Sequence, residues 1–162
     1  MIDHTSASLV LVVGDDAVNR LVIRQMVQLS GYACLSAMDG LEGYQKTVLH
    51  APALVLTDLH MPVLSGVEMI SAIREALGAK TPPILTVLDA PDPALQRRAL
   101  GTGAAACLIK PLRLETVQQA LQAYLTEHSA ASATVTRGGN TASNTASNTA
   151  ASTGARRCRC SE

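Results

Sequence analysis

Five short apolar runs alternate with five amphipathic segments along the first 125 residues, which predicts an α/β fold: a doubly wound, parallel, five-stranded sheet. Three observations carry this. The short runs are of strand length, and most are continuously apolar, as strands covered on both faces are. The segments between them have helical spacing and enough residues to cross over from one parallel strand to the next. Acids and a lysine directly follow three of the runs, at the end of such a sheet where ligands gather.

The first strand is expected at Leu9–Val13. A helix follows it, with Val18, Leu21, Val22, Met26 and Leu29 as its apolar stripe and Gly31 as its stop. Ala33–Ala37 reads as the second strand, followed by a helix carrying Leu41, Tyr44, Val48 and Leu49. Ala53–Thr57 is the third strand, and its helix presents Val67, Ile70, Ile73 and Leu77. Ile84–Leu88 is the fourth, with a weaker stripe of Ala94, Leu95 and Leu100 behind it. Ala105–Ile109 closes the sheet, and Leu114, Val117, Leu121, Tyr124 and Leu125 mark the last helix. In each case the stripe is expected to face the core.

Composition agrees with one such domain and a tail. Hydrophobic residues make up 48% of the 162 residues while aromatics make up 2%, with three Tyr and neither Phe nor Trp, so the core is aliphatic. The 13 basic and 13 acidic residues balance, which excludes polyanion binding through bulk charge. No run approaches the roughly 18 apolar residues of a membrane span. No basic region precedes Leu9–Val13 as it would in a secretory leader, so a cytoplasmic protein without membrane insertion is expected.

From Thr126 the text turns to Ala, Ser, Thr, Asn and Gly, with the repeat Asn140-Thr141-Ala142-Ser143, Asn144-Thr145-Ala146-Ser147, Asn148-Thr149-Ala150. Such a tract buries too little to offset chain entropy. Residues 1–125 are therefore read as the domain and 126–162 as a disordered, low-complexity tail. The tail carries no helix-turn-helix pattern or strong basic patch, so direct nucleic-acid binding is not expected. Cys34 and Cys107 lie in apolar runs and read as buried thiols. Cys158 and Cys160, set among Arg156, Arg157 and Arg159, lack the further ligands of a zinc site.

The chemistry collects at the strand ends. Asp15 and Asp16 follow the first strand, Asp58 the third, and Lys110-Pro111 the fifth. A doubly wound sheet sets these ends side by side. Carboxylate oxygens suit Mg²⁺, which takes one or two of them and keeps several waters. A carboxylate beside a hard cation and an ammonium is suited to accept a phosphoryl group, because both offset charge on the incoming oxygens. Asp16 and Asp58 are each equally suited to capping a helix.

Acids after the first strand, the Asp-x-x-Met-Pro-x-x-x-Gly stretch from Asp58 to Gly66, and Lys110-Pro111 together resemble a response-regulator receiver domain. Val18-Asn19-Arg20-Leu21, Leu56-Thr57-Asp58-Leu59-His60-Met61-Pro62 and Ile109-Lys110-Pro111-Leu112 are most similar to receivers of hybrid sensor histidine kinases. The resemblance runs without gaps from Leu9 to Leu125. It implies a flavodoxin-like (βα)5 fold and a phosphoacceptor role for Asp58, supplied by a phosphohistidine on a sensor histidine kinase or a histidine phosphotransfer domain. Mg²⁺ would be held by Asp15, Asp58 and the backbone carbonyl of His60, with Lys110 on the phosphoryl oxygens. It further implies kinase docking on the first helix, and dimer or output contacts on the face of the fourth helix, fifth strand and fifth helix.

Departures from the family's pattern qualify that expectation. The first of its paired acids falls on Gly14; Asp16 would replace it only if the loop rearranged. Loss of such an outer carboxylate commonly costs about 10–100-fold in metal affinity. The hydroxyl residue ending the fourth strand falls on Leu88, with Thr86 two residues too deep. The switch aromatic of the fifth strand falls on Cys107, and Asp89 stands where a small residue is usual. A weak conformational response is therefore expected, and a degenerate receiver that binds partners without phosphorylation is the alternative. An aspartate-dependent phosphatase is disfavoured, since its second acid would fall on His60, and no enzyme activity is expected. A dinucleotide site is excluded because Gly14-Asp15-Asp16-Ala17 lacks the G-x-G-x-x-G pattern.

Overall fold

The structure, a computed structural model, describes residues 8–132, and of 127–132 only the helical backbone. Its strands are β1 (Leu9–Val13), β2 (Ala33–Ala37), β3 (Leu54–Asp58), β4 (Ile84–Leu88) and β5 (Ala106–Ile109). The helices between and after them are α1 (Ala17–Leu29), α2 (Gly40–His50), α3 (Gly66–Leu77), α4 (Pro93–Thr102) and α5 (Leu114–Ser132). All neighbouring strands pair in parallel, in the order β2-β1-β3-β4-β5. The expected doubly wound sheet is thus present. Its order reverses between β1 and β3, the place where such folds form a crevice.

Strand alternation divides the core into two layers. Leu11, Val13, Val55, Ile84 and Leu88 face Met69, Ile70 and Ile73 of α3 and Ala99 of α4. Val10, Val12, Leu54, Leu56, Leu85 and Val87 face Ile23 and Val27 of α1 and Val117, Leu121 and Leu125 of α5. The expected stripes of α3 and α5 lie on this core, α3 adding the buried Met69.

The expected stripes of α1 and α2 do so only in part: Met26 and Tyr44 are half-buried against it, and the rest of each stripe is exposed. Val18 and Leu29 are 70% and 73% exposed, Leu21 and Val22 are also exposed, and Ile23 and Val27 are the residues buried. The reason lies at the start of the helix. Arg20 reaches back to donate to the Gly14 carbonyl at 2.5 Å and to that of Asp15 at 3.4 Å. Arg20, Ile23 and Val27 share a face at helical spacing, so this clasp turns the second apolar face outward.

In α2 the inner face is Gly40, Gly43 and Thr47, while Leu41, Val48 and Leu49 are exposed. A Cβ at position 43 would stand 2.7 Å from Met69 Sδ and 2.9 Å from Val13 Cγ1, so only glycine permits this approach to β1 and α3. In α4 the buried residue is Ala99, Leu95 is half-buried, and Leu100 and Ala94 face outward.

Two strand boundaries also shift by one residue. β3 covers Leu54–Asp58 rather than Ala53–Thr57, because Asp58 pairs with Val87 in the ladder. β5 begins at Ala106 rather than Ala105. The last helix continues through 126–132 to Ser132, beyond the compositional break at Thr126. The tail from 133 onward, including Cys158 and Cys160, lies outside the described residues.

Candidate functional site

Four loops meet at the carboxyl ends of the strands. The β1–α1 turn presents Gly14, Asp15 and Asp16. β3 ends in Asp58, β4 is followed by Asp89, and β5 is followed by Lys110, whose bond to Pro111 is cis. Asp15, Asp16, Asn19, Asp58, His60, Asp89 and Lys110 are among the residues that line one pocket of about 240 Å³. The sequence-predicted residues therefore do converge.

Each is placed by local structure. Asp58 is held in the ladder, with its residue only 7% exposed. Lys110 is positioned by its own backbone N–H, which donates to the Leu88 carbonyl at 2.8 Å. The loop after β3 closes where the Gly66 N–H donates to the Leu59 carbonyl at 3.0 Å, and Ser65 with Glu68 forms a capping box on α3. Gly66 is required by proximity: a Cβ there would meet the Asp58 carbonyl oxygen at 2.4 Å.

The electrostatics centre on Lys110. Its Nζ lies 3.1 Å from Asp58 Oδ1 and 2.8 Å from Asp89 Oδ1, and the hydrogen bond goes to Asp89. Asp58 Oδ1 is left buried without a hydrogen-bond partner. Burial raises the Asp58 carboxyl above the ordinary aspartate range; Lys110 works against that rise, while Asp89 and Asp15 add to it. Lys110 has the converse balance. Burial disfavours its charge, but Asp89 and Asp58 outweigh this and raise it above the ordinary lysine value. Asp89, bonded to Lys110, is held low.

The two acids after β1 have different duties. Asp16 is the N-cap of α1, its Oδ1 accepting from the Asn19 N–H at 2.7 Å. Asp15 Oδ1 accepts only the adjacent Asp16 N–H at 3.0 Å, and its side chain is on the exposed rim of the pocket. At Gly14, a Cβ would stand 2.8 Å from Asp58 Oδ2. The Asp58 carboxylate thus leans into the space that a side chain at 14 would need. Among the described residues no three side chains of His, Cys, Asp or Glu converge on one metal position. The oxygen set of Asp15 and Asp58, with an orphaned buried Oδ1, still fits a hard cation that keeps most of its waters.

On the β4–β5 side the departures are structural facts. Leu88 is buried in the layer of α3 and α4. Thr86 is fully buried, and its hydroxyl donates to Cys107 Sγ at 3.0 Å, its partner in the ladder. It does not line the pocket. Neither thiol is as deeply buried as expected: Cys34 and Cys107 are both half-buried. Burial still pushes the Cys34 thiol up to about 11, against a small opposing effect of Arg24.

Two features escaped the sequence reading. The Arg20 clasp is one; its signal was a cation near the start of a helix, where the macrodipole disfavours positive charge. The other is the Asp89–Lys110 bond, since only the fold shows which way Asp89 points. Beside the polar pocket lies a second one of about 410 Å³, where Val22, Ile23, Pro111 and Leu112 adjoin Asp89 and Lys110.

Comparison with known proteins bears on this geometry. The family described as "Response regulator receiver domain" matches residues 10–122. The probable C4-dicarboxylate response regulator DctR of Priestia megaterium is 36% identical over 117 residues, 71% of this chain and 50% of that protein. The sensor histidine kinase RcsC of Salmonella typhimurium is 31% identical over 122 residues, 75% of this chain and 13% of RcsC. This chain thus spans half or less of the length of either relative. A solved structure of similar fold is the receiver domain of a Pseudomonas aeruginosa sensor histidine kinase, with a magnesium ion coordinated in its active-site cleft. It has a TM-score of 0.69 at 25% identity and covers 75% of this chain and 99% of that one. Sequence, sheet order and the acids gathered at the strand ends agree, and the chain belongs to the receiver-domain family of two-component signal transduction.

Proposed function

We propose that Asp58 is the phosphoacceptor of this receiver. The observation that carries this is the buried Asp58 carboxylate, its Oδ1 3.1 Å from the Lys110 ammonium, in the lining of a pocket it shares with Asp15 and Asp16. In the transfer an Asp58 oxygen attacks the phosphorus of a phosphohistidine. The new O–P bond forms as the P–N bond breaks, and the imidazole leaves with the electron pair. Lys110 stands where it meets charge on the phosphoryl oxygens.

Mg²⁺ would be held by Asp15, Asp58 and the His60 backbone carbonyl, and when bound it offsets phosphoryl charge. Asp16 is a poor addition to that set because its Oδ1 is committed to the α1 cap. The donor is a sensor histidine kinase or a histidine phosphotransfer domain, a reading supported by the similarity to part of the sensor histidine kinase RcsC. No helix among the described residues is long and apolar enough to cross a membrane.

The test is intact mass after incubation with acetyl phosphate and Mg²⁺. Wild type should gain one phosphoryl group and Asp58→Asn none. Labelling that persists in Asp58→Asn would move the acceptor elsewhere, and the absence of labelling on folded wild type at high Mg²⁺ would remove the proposal.

A further inference from the structure

Asp89 has no part in the reading above, yet it makes the shortest polar contact of Lys110. Its carboxylate accepts from Nζ at 2.8 Å, against 3.1 Å for the unaligned approach of Asp58 Oδ1. The Asp89 side chain is 72% exposed, so packing does not hold it there; the ion pair does. Across the contact, Asp58 Oδ1 is buried and, although 3.1 Å from the ammonium, has no aligned hydrogen bond; Asp58 and Asp89 line the same pocket. One ammonium therefore serves two carboxylates, and the outer one has the better bond.

We propose that Asp89 is a positioning residue that draws Lys110 off the acceptor and weakens the hold of the site on a phosphoryl group. Asp58 then passes such a group on rather than keeping it. This rests on the reading of Asp58 as acceptor. A phosphoryl group there needs Lys110, and it must compete for it with a carboxylate of like charge to itself. A weaker hold on the bound group raises the free energy of phosphorylated Asp58, so the transfer equilibrium shifts back toward the phosphohistidine side. In the return step an unprotonated imidazole nitrogen attacks phosphorus. The P–N bond forms as the P–O bond to Asp58 breaks, and that electron pair restores the carboxylate.

Beryllofluoride, a non-covalent phosphoryl mimic, reads this hold at equilibrium. In the full chain with saturating Mg²⁺, Asp89→Ala should bind beryllofluoride about fivefold or more tighter than wild type. Asp89→Glu, which restores a carboxylate, should return toward the wild-type affinity. Equal beryllofluoride affinities in wild type and Asp89→Ala would overturn the role of Asp89. Failure of wild type and Asp89→Ala alike to bind the mimic, with both folded, would instead overturn the acceptor reading and the passing-on with it. Binding lost only in Asp58→Asn keeps the acceptor reading intact whichever way Asp89 behaves.

Discussion

The carboxyl edge of the sheet has two halves that differ in kind. On the β1–β3 side a buried carboxylate, 3.1 Å from the Lys110 ammonium, lines a polar pocket, and the neighbouring acid Asp15 is open to water. On the β4–β5 side Asp89 and Lys110 pair at the edge, and hydrocarbon fills the layer beneath them. Leu88 is packed under α3 and α4, and the Thr86 hydroxyl is spent on Cys107 Sγ. The first half holds the proposed acceptor; in the second, among the described residues, no hydroxyl lines the pocket. A bound group shifts a conformational equilibrium only through contacts that differ between the two states. Position 88 offers no hydroxyl and position 107 no aromatic ring for such contacts.

Lys110 joins the two halves, and removing it should give the largest effect. Lys110→Ala takes away the ammonium facing the phosphoryl oxygens and should lower the rate of acetyl-phosphate labelling by about 10²–10³-fold. A loss below tenfold, measured as initial rates by mass spectrometry, would show that the chemistry does not depend on that bridge.

Leu88→Thr probes the hydrocarbon half. Shortening a buried side chain there should cost about 2 kcal/mol or more in urea unfolding. The new hydroxyl should also enlarge the beryllofluoride-induced changes in the amide spectrum of α4 and β5. Spectral changes no larger than those of wild type would mean that the strand-four hydroxyl is not what the relay lacks.

A smaller effect measures what the reactive half costs in stability. Burial raises the Asp58 pKa in the fold, so its ionisation opposes folding. Any stability tied to its proton is complete below the unfolded value, about 3.9, and is lost as pH rises through the folded value. Without metal, Asp58→Asn should therefore melt above wild type at pH 7, and the charge part of the difference should shrink as pH falls through the raised folded value and be gone below about 4. A difference independent of pH would assign it to packing rather than charge.

Much of this was legible in the chain. Continuous apolar runs such as Leu54–Leu56 and Ile84–Leu85 announce buried parallel strands, and Asp58, Gly66 and Lys110 sit at intervals that a resemblance can read. The helix faces were another matter. α1 carries two apolar faces, and hydrophobicity alone does not rank Val18 and Leu21 against Ile23 and Val27. In α2 the inner face is made of glycine and threonine, which carry little apolar signal, while leucines face out.

By itself the sequence determined the parallel sheet, the order of its elements and the residues that gather at its carboxyl edge. Strand hydrophobicity and fixed chain intervals are properties of the chain alone. Only the tertiary structure decided which helix faces are buried, that Asp16 caps while Asp15 faces water, and that Lys110 is bonded to Asp89. Those outcomes depend on distances of a few ångströms between residues far apart in the chain. Each is a competition for one partner: Arg20 for the carbonyls of the β1–α1 turn, Asp58 and Asp89 for a single ammonium. Which contender wins is set by where the backbone places them, not by which residues they are.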